Sequence, residues 1–285
     1  MSSLVTNYDS EKNLLFVQKH RCGTSLLYNI ATSGLYPEFS RYSYGDLFKA
    51  HGAEKLSPEN LTVKNIYRHP VRNFMSGLVM VIHNNELNFF FRDSVPSLHT
   101  RYHLGDNHLH HDLMQGFVLG AAGYNLEFIK ISDYTEFLLT EFPKCEDIIL
   151  EAHQDGSFEP NDAPAIFPAR WLFYENHINS NNFYCSFYRD WDDWFEPELR
   201  LFDYIISYEN IDPATEGYTR RELCIEALDY LLNHSHYWAE LPHGNIVLRS
   251  QLELIVLLAD NYPDSLPGNL VDIARKKLRL YRRQD

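Results

Sequence analysis

Leu14-Leu15-Phe16-Val17-Gln18-Lys19-His20-Arg21-Cys22-Gly23-Thr24-Ser25-Leu26-Leu27 decides how the fold is read. Leu14–Gln18 is an apolar run of strand length between polar residues, which predicts a buried strand. A basic, small-residue turn follows, and then a helix over Ser25–Ser33 that Gly34 stops. Gly23 lets a ligand approach the backbone closely. Thr24 and Ser25 bring hydroxyls to a helix start, and Lys19, His20 and Arg21 bring positive charge. A helix N-terminus and cations at one turn favour a bound anion. Plain capping of the helix by Thr24 or Ser25 is the alternative.

A second segment repeats the order. Leu61–Tyr67 reads as a strand, and Arg68-His69-Pro70 follows. Pro70 stands where helices start well, and Val71–Ile82 reads as that helix. Arg68 and Ser76 are spaced to converge on a second phosphate-like group. Otherwise, Arg68 caps the sheet and Ser76 packs as a small helical residue. Gly45–Glu54, between the two segments, reads as a helix or a strand-to-loop passage. Strand, helix, strand, helix predicts parallel βαβ units and an α/β fold. No GxxxxGK[ST] is present, which argues against ATP or GTP with magnesium.

Further on, Phe89–Asp112 reads as a long His- and Asp-rich loop and Asp133–Phe142 as a capped helix. Glu151–Pro168 is Pro-rich loop and Ala169–Ile178 helix. Phe202–Tyr208 reads as a third strand. Thr219–Asn233 is an amphipathic helix in which Thr219 and Glu222 form a capping box. Leu252–Ala259 and Leu270–Arg283 are closing helices. No repeat or linker divides the chain, so residues 1–285 are expected to form one domain, with the two motifs in 14–80 and acceptor or lid loops in 85–168.

With 285 residues and 22% charged residues, the chain is long enough for a full core. The net charge of −14 disfavours nucleic acid and anionic membrane as partners. Positive charge is concentrated near the end: Arg275, Lys276, Lys277, Arg279, Arg282 and Arg283, which also suits a solvated terminal helix. The opening Met1–Lys12 is too polar for a secretory signal, and the apolar run at Leu254–Ala259 is too short to span a bilayer. Cys22, Cys145, Cys185 and Cys224 form no CxxC pair and read as free thiols. These features predict a cytoplasmic protein.

The two motifs resemble those of the sulfotransferases that use 3′-phosphoadenosine 5′-phosphosulfate (PAPS). The family's 5′-phosphosulfate loop, Pro-(Lys/Arg)-Ser-Gly-Thr-Thr-Trp-Leu, is matched by His20-Arg21-Cys22-Gly23-Thr24-Ser25-Leu26-Leu27. Its 3′-phosphate motif, Arg-(Asn/Asp/His)-Pro with a Ser eight residues after the Arg, is matched by Arg68-His69-Pro70 and Ser76. Lys49-Ala50-His51 resembles its Lys-Thr-His segment, and Ser207-Tyr208-Glu209-Asn210-Ile211 its "YEDL". The resemblance covers the first 80 residues well and the rest thinly. Leu26 replaces the aromatic that often meets the adenine, and no basic Gly-rich loop near the C-terminus is evident.

The resemblance implies an α/β/α three-layer fold with a central, mainly parallel sheet, a P-loop-like nucleotide-binding topology and a helix-rich C-terminal half. It implies sulfuryl transfer from PAPS, leaving adenosine 3′,5′-bisphosphate (PAP), with no metal required. Lys19, Arg21, Cys22, Gly23, Thr24, Ser25, Arg68 and Ser76 would bind the cofactor. His51 would be the base, with Glu38 as the second candidate, and Arg21 and Lys49 would stabilise the departing phosphate. Charge balance favours a small neutral or cationic hydroxyl or amine acceptor, such as a guanidinium-bearing natural product, and a homodimer is compatible with the sequence. Two other classes are open. His99, His103, His108, His110 and His111, with Asp106 and Asp112, are suitable zinc ligands for a metal-dependent hydrolase, although they match no compact ligand pattern. A non-catalytic PAP-binding protein is the other.

Overall fold

The computed structural model describes residues 5–18, 22–68, 108–154, 191–212, 219–234 and 244–281, with only the backbone described at some helix ends. Lys19, Arg21, Ser76, His99, His103, Asp106 and Cys185 lie outside the described residues, as do the expected helices 71–82 and 169–178 and most of the two long loops.

The strand and the helix of the first segment form as the sequence predicts. Strand β2 (Leu14–Gln18) runs through the turn at Cys22 and Gly23 into helix α1 (Thr24–Thr32). Strand β4 (Thr62–Tyr67) lies beside β2, parallel and in step, with Leu14 opposite Thr62 and Gln18 opposite Ile66. Between them come β3 (Phe39–Ser43) and α2 (Tyr44–His51), where the Ser43 side chain accepts from the Asp46 N–H as an N-cap. The sheet is nevertheless mixed. Strand β1 (Val5–Asp9) pairs antiparallel with both β2 and β3, and with Asn125–Lys130 as β5 the order is β3-β1-β2-β4-β5. The expected mainly parallel sheet is therefore corrected: among the described residues, parallel pairing holds only for β2–β4 and β4–β5. Asp9 explains the tight β1–β2 connection. Its carboxylate accepts the N–H groups of Glu11 and Lys12, and Asn13 takes a left-handed conformation at φ 56°.

Helices cover both faces of the sheet. Residues of alternate parity meet different cores, as the two-residue period of a strand requires. Leu15, Val17, Val63, Tyr67 and Leu126 pack in one core. It is shared with α3 (His108–Ala121), α6 (Trp191–Asn210), α7 (Arg220–His234), α8 (Gly244–Asn261) and α9 (Gly268–Tyr281). Phe16 and Ile66 pack in the other, with α1, α4 (Tyr134–Glu141) and α5 (Glu146–Gln154).

Two further expectations change. Phe202–Tyr208 is helical, inside α6, not a strand. Its buried positions Leu201, Tyr204, Ile205 and Tyr208 fall at i, i+3, i+4 and i+7, a single helix stripe. The Tyr208 hydroxyl donates to the Leu126 carbonyl, so α6 lies against β5. Residues 108–112, expected in loop, begin α3. The capping box does form: Glu222 accepts from the Thr219 N–H, and the Glu222 N–H donates to the Thr219 hydroxyl. Among the described residues no helix is long and apolar enough to cross a membrane. Cys22, Cys145 and Cys224 are buried.

Candidate functional site

Parallel strands in step end at the same height, so the turns that follow β2, β4 and β5 share one edge of the sheet. At that edge, Gly23 caps α1 in the left-handed region, at φ 74° and ψ 23°, without a side-chain cap. The first-turn N–H groups of Thr24 and Ser25 are thus not capped from within the helix, which is the arrangement that receives an anion. The Gly23 carbonyl accepts from the N–H groups of Leu26 and Leu27 and from the Tyr134 hydroxyl, at 3.1, 3.4 and 3.2 Å. The buried Tyr134 ring packs over Gly23 so closely that a Cβ there would overlap it. Tyr134 follows β5, so this contact reaches across the end of β4.

Arg68 lies one residue beyond β4 and is only 7% exposed. Strand alternation continued by one residue puts it on the α1 face, with Ile66. On the other face, Tyr67 stands opposite Lys130 and donates its hydroxyl to both carboxylate oxygens of Glu209, at 3.0 and 3.1 Å. Burial and the neighbouring Glu209 raise the Tyr67 phenol far above its ordinary range, so it remains a donor at all physiological pH. The Lys130 ammonium lies 3.7 Å from Glu209 Oε2.

The structure brings Cys22, Gly23, Thr24, Ser25 and Arg68 to this one edge. It places Glu38 at the opposite end of the strands and His51 against β1 and β3, while the ion pair of Lys49 is within α2 itself. The Glu38 carbonyl accepts from the Ser10 N–H beside the β1–β2 turn, at the opposite end of the strands. Lys49 is a solvent-exposed residue of α2, 3.6 Å from Asp46. His51, at the end of α2, packs edge-on to Tyr8 of β1 and Tyr42 of β3, with ring centroids 4.8 and 5.4 Å apart. Those strands are two and three positions from β4, and one spacing is about 4.8 Å. Glu209 belongs to the expected "YEDL"-like segment, but it arrives on a helix. No local pattern marks Tyr134, which meets the Gly23 turn 111 positions earlier, or Lys130, whose ion-pair partner Glu209 comes far later in the chain.

The His51 Nε2 is buried with no hydrogen-bond partner among the described residues, and burial, then Lys55, holds the imidazole below its ordinary value. The unfolded chain therefore binds this proton more readily. Stability from the neutral ring is complete above the unfolded pKa, near 6.5, and declines as pH falls through it. His51→Gln is expected to flatten that part of the stability profile, read by urea denaturation between pH 7.5 and 5.

Among the described residues no three His, Cys, Asp or Glu side chains converge as a metal site. The side chains of His108, His110, His111 and Asp112 are not described. No protein-family model matches the chain, and no similarity was found to a curated protein or to a solved structure.

Proposed function

We propose that the chain is a sulfotransferase with a P-loop-like nucleotide site, moving a sulfuryl group from PAPS to a hydroxyl or amine of a small neutral or cationic acceptor. One observation carries this reading: the Gly23 turn and Arg68 follow adjacent parallel strands that run in step. Two anion-binding groups at neighbouring strand ends suit a ligand with two separated phosphate-like groups. Under this reading the uncapped start of α1 and the Thr24 and Ser25 hydroxyls hold the 5′-phosphosulfate, and Arg68 holds the 3′-phosphate. The acceptor atom attacks sulfur in line, and its proton passes to solvent water. The bridging oxygen leaves with the bonding pair and becomes part of the 5′-phosphate of PAP, where donors at the turn meet its growing charge. His51 and Glu38 lie elsewhere on the sheet, so the reading rests on the donor site and assigns no base.

Calorimetry with PAP tests it. One site per chain, saturable without magnesium, is the expected result, and no binding would overturn the reading. The positions of His51 and Glu38 favour a second reading, a protein that binds PAP without turnover. Release of PAP from PAPS in the presence of phenolic and amine acceptors separates the two.

A further inference from the structure

On the reading that the β2 and β4 turns bind PAP, we infer that Lys130 is a further cation of the 3′-phosphate subsite, poised by Glu209. The 3′-phosphate is a dianion near neutral pH, and one guanidinium leaves part of its charge unmatched. Lys130 is the last residue of β5 and stands opposite Tyr67, whose neighbour is Arg68. Its strand end therefore adjoins that of β4 on the side away from the Gly23 turn, and its side chain lies on the Tyr67 face of the sheet, so Lys130 and Arg68 reach a phosphate beyond the strand ends from opposite faces.

Its surroundings favour a cation available to a ligand. The side chain is 52% exposed. Its 3.7 Å separation from Glu209 is an ion pair but too long for a hydrogen bond. Among the described residues the ammonium makes no hydrogen bond, so its three donors are not committed. Glu209 is itself fixed, because Tyr67 donates to both of its oxygens. A fixed carboxylate restrains the flexible lysine near the edge, and a phosphate can draw the ammonium away at little cost, since an exposed pair contributes little.

The test compares PAP with adenosine 5′-monophosphate, which lacks the 3′-phosphate, by calorimetry on the full chain. Lys130→Ala is expected to weaken PAP about tenfold and to leave adenosine 5′-monophosphate unchanged. Its melting temperature should match wild type, because the residue is exposed. Glu209→Gln keeps an acceptor for Tyr67 but removes the competing charge, so PAP should bind equally well or more tightly. Unchanged PAP affinity in Lys130→Ala would overturn the inference, and so would equal losses for both nucleotides or weaker PAP binding in Glu209→Gln. If wild type fails to bind PAP, the reading of the site itself falls. If wild type binds and Arg68→Ala weakens PAP while Lys130→Ala does not, only the role of Lys130 falls.

Discussion

Arg68→Ala is expected to weaken PAP binding by about 1.5–3 kcal/mol, the scale of a hydrogen bond to a charged group, which is roughly 10- to 150-fold in affinity. Arg68 is buried, and a guanidinium presents two parallel donors to a phosphate where an ammonium is a point charge. Arg68→Lys should therefore recover only part of the loss. Calorimetry with PAP measures both variants. Wild-type affinity in Arg68→Ala would reduce Arg68 to a structural residue at the end of β4. Thermal unfolding beside the titration separates a lost contact from a lost fold.

Gly23→Val should damage the fold itself. A left-handed backbone costs a residue with a side chain about 1–2 kcal/mol, and forcing carbon atoms into a packed interior costs about 1–3 kcal/mol. Both penalties apply at Gly23, where φ is 74° and the Tyr134 ring fills the space a Cβ needs. Their sum lowers the melting temperature by roughly 5–15 °C for a chain of this size. Gly23→Ala should fall between wild type and valine. PAP binding should be lost in both, because the turn must move to relieve the overlap. An unchanged melting temperature in Gly23→Val would show that the turn does not adopt this conformation.

The first βα unit was legible because its signals are local. Leu14–Gln18 is apolar throughout, and Gly23 and Gly34 mark the turn and the end of the helix. Strand β1 was hidden because Asn7 and Asp9 are polar yet buried, so its sequence lacks the usual alternation. Strand β3 was hidden because only Phe39 of its five residues is buried. The stripe of α6 was misread because Ile205-Ile206 resembles a strand over a short window, while the helical period needs eight residues to show. At the site, Gly23 and Arg68 were legible from their own turns. Tyr134, Lys130 and the hold of Tyr67 on Glu209 were not, since each depends on which strands become neighbours. His51 was placed by a short likeness in sequence, and the structure packs its ring on Tyr8 of β1 and Tyr42 of β3.

The sheet separates two hydrophobic cores, one under α1, α4 and α5 and the other under α3 and α6 to α9. Segments packed on different cores can open independently, each with its own local free energy. A nucleotide gripped by Gly23 and Arg68 on one face and Lys130 on the other would bridge that division. Amide exchange would then slow on both sides of the sheet, in helices that never touch the ligand, and the two halves would begin to open together.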